Sequence, residues 1–98
     1  MDNEITPIPE HKLYNVLNKV LFEDIERSEK NFNGFCSMFE QYKFEDGFNA
    51  DTFKSLYQKA KENKSHNNRI DCIAYLMKCI LSNPKLYETI SVLYTGAI

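Results

Sequence analysis

The segment Arg69–Ser82, RIDCIAYLMKCILS, constrains the fold more than any other part of this chain. Apolar residues occupy most of its positions, and the polar edge is thin, consisting of Asp71, Lys78 and Ser82. The segment shows no sustained strand alternation, and a helix that is apolar nearly all round must be covered on several sides. We therefore predict a central, buried helix surrounded by other helices.

Two segments that precede this helix have the apolar spacing of covering helices. Residues 9–30 carry one stripe at helical period, formed by Leu13, Val16, Leu17, Val20, Leu21 and Ile25. Asn33 and Gly34 break the pattern, because glycine destabilises a helix interior. A second helix is predicted to follow and to end before Asp46 and Gly47, with one face made of Phe35, Met38, Phe39 and Tyr42.

The third and fifth helices have clear start signals. Asn49 is a suitable N-cap for a helix that buries Phe53, Leu56, Tyr57 and Ala60 and ends in a polar loop at residues 63–68. Asn83 is a suitable N-cap for the last helix, and Pro84 suits its first position. The inward face of this last helix is predicted to contain Leu86, Tyr87, Ile90, Leu93 and Tyr94.

The predicted fold is therefore all-α: a small single-domain bundle of about five helices with a central buried helix near residues 69–82. A chain of 98 residues is the size of one domain. We expect residues 1–8 to be a flexible N-terminus and residues 9–98 to form the single helical domain. We expect no membrane association, because the longest apolar run, residues 72–77, is too short to cross a bilayer.

The cysteines indicate a reducing compartment and no metal or cofactor. The three thiols Cys36, Cys72 and Cys79 form no CxxC pair and are odd in number, which argues against a disulfide framework. Lysine and asparagine are abundant, as in proteins from AT-rich bacterial genomes, so we expect a bacterial cytoplasm. His11 and His66 stand alone in the sequence, so no metal-ligand set is predicted.

An aromatic-rich stretch at residues 31–53 contains the predicted partner-binding surface. Phe44 lies off the apolar stripe, next to acidic residues that could attract a basic partner. A role in sealing the end of the bundle is the alternative for this ring. The predicted partner-binding residues are Tyr42, Phe44, Glu45 and Asp46.

The charge distribution allows a second function. Residues 1–51 carry eleven acids and five bases, whereas residues 52–98 carry three acids and seven bases. A basic surface at the junction of the third and fourth helices could contact phosphates, although one glutamate interrupts it and nucleic acid is not the expected partner. The residues of this alternative nucleic-acid surface are Lys54, Lys59, Lys61, Lys64 and Arg69.

Cys36 allows a third function. If a helix begins after Gly34, this thiol lies near its N-terminus, where the helix dipole lowers a thiol pKa. A minimal thiol enzyme is thus possible in principle, but no nucleotide, hydrolase or metalloprotease motif accompanies it. The sequence favours a non-enzymatic protein-protein interaction module, an adaptor, inhibitor or chaperone-like subunit, bound to a larger protein. The sequence leaves the partner and the oligomeric state open.

Overall fold

The computed structural model describes residues 7–42, 44, 47–63 and 65–94. Five α-helices follow one another: α1 Glu10–Asn18, α2 Ser28–Gln41, α3 Ala50–Asn63, α4 His66–Ser82 and α5 Pro84–Tyr94. A single π-helical turn, Lys19–Glu23, continues α1. The described residues contain no strand, and the prediction of an all-α bundle of about five helices is confirmed.

Helix α4 is central, as predicted, and packs against α1, α3 and α5. Its buried side is formed by Cys72, Ile73, Leu76, Cys79 and Ile80. Two of its apolar residues, Ile70 and Leu81, are each 37% exposed, so burial covers one broad side and not the whole circumference. The helix begins at His66, inside the predicted polar loop, because packing against α3 outweighs the weak helix propensity of the asparagines.

The long first helix predicted over residues 9–30 is interrupted, because its α-helical part ends at Asn18, the π turn continues it to Glu23 with Val20 and Leu21 buried as predicted, and residues 24–27 are not helical. The π turn has one more residue between hydrogen-bonded partners than an α-helical turn, so the residues that follow it are shifted out of phase with the apolar stripe. Ile25, predicted to be buried, lies in the next turn and is 85% exposed. Helix α2 then begins at Ser28 and continues through Gly34, where a break was predicted.

The N-terminal segment contributes to the core at Ile8. This side chain is fully buried, its backbone N–H donates to the Ser91 hydroxyl at 2.9 Å, and its carbonyl accepts from the Tyr87 hydroxyl. Ile8, the last residue of the segment expected to be flexible, is therefore held against α5. Residues 1–6 lie outside the described part of the chain.

The start signals of α3 and α5 are confirmed. The Asn49 side-chain oxygen accepts from the Thr52 backbone N–H at 2.9 Å, and the Asn83 oxygen accepts from the Leu86 N–H at 3.2 Å. Each bond satisfies one of the free N–H groups at a helix start, which is why asparagine is favoured there.

Stacked aromatic rings join α2 to α3. Phe32 lies 4.2 Å from Tyr57 and 5.4 Å from Phe53, measured between ring centroids. Phe35 and Phe53 are fully buried, as predicted for core residues. Most of the aromatic-rich stretch is therefore used to hold the two helices together.

Candidate functional site

A groove of about 840 Å³ lies where the π turn, α2 and the last turn of α5 meet. The wall from α2 contains Arg27, which directly precedes the helix, together with Lys30, Asn31 and Gly34. These four residues are spaced i, i+3, i+4 and i+7, so helix geometry places them on one side of α2. The groove wall is thus a direct consequence of sequence spacing.

The side of the groove formed by α5 consists of Leu93 and Tyr94, and contacts with α2 hold Tyr94 in position. The Tyr94 ring stacks on Phe35 at 5.6 Å, and its hydroxyl donates to Asn31 Oδ1 at 3.4 Å. Burial raises the pKa of Tyr94, so its hydroxyl stays protonated and able to donate. The preceding residue, Leu93, was predicted to face inward, but it is 57% exposed because Tyr94 and Ile90 occupy the buried side of this turn.

The rim formed by the π turn is held by hydrogen bonds from two neighbouring helices. A helix end leaves its last carbonyls without intrahelical partners. Here Asn31 Nδ2 donates to the Val20 carbonyl at 2.8 Å, and the Tyr57 hydroxyl donates to the Leu21 carbonyl at 3.4 Å. Single π turns occur frequently at functional sites, and this one supplies Lys19 and Val20 to the groove.

The groove is cationic although seven of its nine lining residues come from the acidic half of the chain. Three of the five bases of residues 1–51, namely Lys19, Arg27 and Lys30, line it, whereas Asp24 is the acid among the groove residues. The Asp24 carboxylate accepts from the Arg27 backbone N–H at 3.3 Å and so helps to shape the turn before α2. The fold therefore collects positive charge at a site that the net charge of −6 of this half conceals.

The predicted partner-binding surface lies on another part of the bundle. Tyr42 is half-buried, and its hydroxyl is 3.2 Å from the Thr89 hydroxyl. Phe44 is also half-buried, with its ring 5.5 Å from Phe39 and 6.1 Å from Phe48. Both rings thus make contacts within the chain. Glu45 and Asp46 lie outside the described residues, and binding through this surface stays a prediction.

The described lysines of the alternative nucleic-acid surface do not share one face of α3. Lys54 and Lys61 lie on one side of α3, whereas Lys59 is about 140° around the helix from Lys54. The Arg69 guanidinium lies over the Phe22 ring at 5.4 Å, and the Lys61 ammonium lies over Tyr57 at 5.9 Å. Lys64 lies outside the described residues. The four described residues of this set form no continuous basic stripe for a phosphate backbone, and binding of nucleic acid here stays a prediction.

Cys36 is not at a helix start. Helix α2 begins at Ser28, so Cys36 is two turns into it, where the N-terminal dipole has little effect. Burial raises the pKa of the Cys36 thiol, and only 8% of the residue is exposed. Burial also raises the pKa values of Cys72 and Cys79 to about 12. At neutral pH all three thiols are protonated, which is the unreactive form.

The described residues form neither a metal-binding cluster nor a helix of membrane-spanning character. No cluster of three or more His, Cys, Asp or Glu side chains there is arranged to hold a metal ion. None of the described helices has both the length and the apolar character of a membrane span.

Comparison with known proteins leaves the chain without a match. No protein-family model, curated protein or solved structure matches it. The groove itself therefore carries the functional argument. Sequence reasoning missed it because its residues come from three separate segments. The available signal was Gly34 itself, with Lys30 and Arg27 four and seven residues before it, at the spacing of one side of a helix.

Proposed function

We propose that the protein is a non-enzymatic protein-protein interaction module whose groove holds a segment of a larger protein. The observation that carries this proposal is Leu93, an apolar side chain that is 57% exposed in the lining of a groove that also contains Lys19, Arg27 and Lys30. An adaptor, inhibitor or chaperone-like subunit of the cytoplasm would act in this way, by occupying part of its partner.

An apolar side chain in a concave, charged surface has a physical reason to bind. Covering Leu93 would remove apolar area from water, at about 25 cal/mol per Å². Concave apolar sites with a few surrounding polar groups are the usual form of binding sites, and binding energy concentrates at their centre. Because the π turn and Tyr94 are fixed by hydrogen bonds, little order would have to be gained when a partner binds.

The other two functions receive less support from the geometry. A thiol enzyme needs an accessible thiolate, whereas the Cys36 thiol is buried and its pKa is raised by that burial. A nucleic-acid-binding surface at the junction of α3 and α4 needs cations on one face, and the described cations of that set lie on different sides. We therefore place the binding site in the groove.

Selection from a displayed library of random 16-residue peptides tests the proposal. We expect wild-type protein to enrich peptides that the Leu93→Asp variant does not bind, because the aspartate removes the exposed apolar side chain of the groove. The matched control is Val92→Asp, since Val92 is also on α5 and is 53% exposed but does not line the groove. Enrichment that survives Leu93→Asp, or no enrichment at all, would contradict the proposed function.

A further inference from the structure

Gly34 has no structural role that alanine could not fill. It lies within α2, and a Cβ built on it would meet no atom within 4 Å. Of the described glycines, Gly47 is the one with a positive φ, at 78°. The backbone conformation at Gly34 therefore does not require a glycine. Glycine inside a helix is less stable than alanine, and a residue that breaks a local rule without a structural gain points to function.

The space that Gly34 leaves open belongs to the groove. Gly34 lies one turn beyond Lys30 and two turns beyond Arg27 on the same side of α2. Glycine is the residue that permits close approach of another backbone. At this position it allows a partner to come closer to the helix than any side chain would permit, beside the exposed Leu93.

We propose that the groove takes an acidic protein segment whose main chain passes over Gly34. One apolar side chain of the segment contacts Leu93, and its carboxylates lie near Lys19, Arg27 and Lys30. This proposal rests on the proposed function and adds the chemical class of the partner. Charge complementarity selects an acidic segment, because three cations and one carboxylate line the groove.

A phosphate backbone is a poorer occupant of this groove than a peptide. Leu93, which is 57% exposed, offers apolar contact that a sugar-phosphate chain cannot use well. One face of the Tyr94 ring is already stacked on Phe35, so at most its other face is left in the groove for stacking with a base. These features favour a peptide, and nucleic acid becomes one outcome of the test.

The test uses the same displayed library with two further variants. Gly34→Ala adds one methyl group to the groove, and Ser37→Ala is its control, since Ser37 is an exposed α2 residue that does not line the groove. Replacement of Lys19, Arg27 and Lys30 by glutamate reverses the groove charge. The same change at Lys54, Lys59 and Lys61 controls for net charge.

Peptides enriched by wild type should carry net negative charge and an apolar residue. Gly34→Ala should raise the Tm of the protein by about 4–8 °C and lower its affinity for the enriched peptides at least about fivefold. A variant that is more stable yet binds less well separates a binding role from a folding role. The groove charge reversal should abolish enrichment, whereas Ser37→Ala and the α3 control should retain it.

Each other result overturns a stated part. The enriched peptides could be neutral or basic, depend on Leu93 and still bind the variant with reversed groove charge. That result would overturn the proposal that the partner segment is acidic, while the proposed function would still hold. Unchanged affinity in Gly34→Ala would overturn the close approach over this residue. A single-stranded 20-nucleotide DNA that binds and is lost on groove charge reversal, without any acidic peptide, would show a nucleic-acid site. Absence of Leu93-dependent peptides would overturn the proposed function itself.

Discussion

Replacement of Ile8 by alanine should destabilise the protein as strongly as a change in the centre of a helix. Ile8 is fully buried, although it precedes every helix and lies in a segment without regular structure. Removing the equivalent of three CH₂ groups costs about 2.4 kcal/mol in transfer free energy at about 0.8 kcal/mol each. The cavity left behind adds to this, so we expect a loss of about 3 kcal/mol in the free energy of unfolding.

The assay is urea unfolding followed by circular dichroism, and Ile25→Ala is the matched control. Ile25 is 85% exposed, so the same chemical change there should stay within about 0.5 kcal/mol of wild type. The Ile8 variant should melt about 12–24 °C lower, given about 4–8 °C per kcal/mol in a domain of this size. The m-value should be unchanged, because both variants should keep the same folded structure.

The hydrogen bond between the Ile8 N–H and Ser91 provides a second measurement. Ser91→Ala removes the acceptor of a buried N–H, at an expected cost of about 1–3 kcal/mol. In a double-mutant cycle, Ile8→Ala and Ser91→Ala should couple by at least about 0.5 kcal/mol, since the two residues are in contact. If Ile8→Ala cost no more than Ile25→Ala, the N-terminal segment would not be docked on α5 in solution, and the reasoning would fail.

Three further predictions concern other parts of the bundle. Phe44→Ala should lower the free energy of unfolding by about 1–3 kcal/mol, because its half-buried ring contacts Phe39 and Phe48. Peptides selected on the groove should bind this variant as before. Unchanged stability with lost partner binding would instead support the surface at Tyr42 and Phe44. The three thiols should not react with a thiol-specific colorimetric reagent at pH 8 in the native protein but should react in 8 M urea. Cys36→Ser should not alter peptide binding. Rapid reaction of Cys36 in the native protein would support the thiol-enzyme interpretation. Stability should fall as pH rises above about 9, because burial raises the pKa values of Cys72 and Cys79 from the ordinary 9.0 to about 12, so that the unfolded state loses these protons first. Cys72→Ala should show a shallower fall between pH 9 and 12, and an equal slope in both proteins would argue against the buried thiol.

Three features could be predicted from sequence because each has a local cause. They are the starts of α3 and α5, the all-α class and the central position of α4. Asn49 and Asn83 are followed by apolar residues at helical period, and each makes the expected cap. Residues 69–82 had to be central because too few polar positions remain to face water. Local pattern and packing agree in these places.

Residues 19–34 could not be predicted correctly because their cause is not local. The π turn changes the phase of the helix, and its carbonyls are satisfied by Asn31 and Tyr57 from other helices. Gly34 was taken as a break, whereas packing of α2 against α3 carries the helix through it. Ile8 was assigned to a flexible segment because its contacts with α5 lie about eighty residues away in sequence. The groove could not be predicted for the same reason, because the π turn and Gly34 both line it.

The most direct test of the central claim is a map of amide chemical-shift changes in ¹⁵N-labelled protein titrated with a peptide enriched on wild type. The claim predicts that the largest changes fall at the amides of Val20, Asn31, Gly34 and Leu93, and that Leu93→Asp abolishes them. Changes centred on Tyr42 and Phe44, or along α3 from Lys54 to Lys61, would place the binding surface elsewhere and contradict the claim.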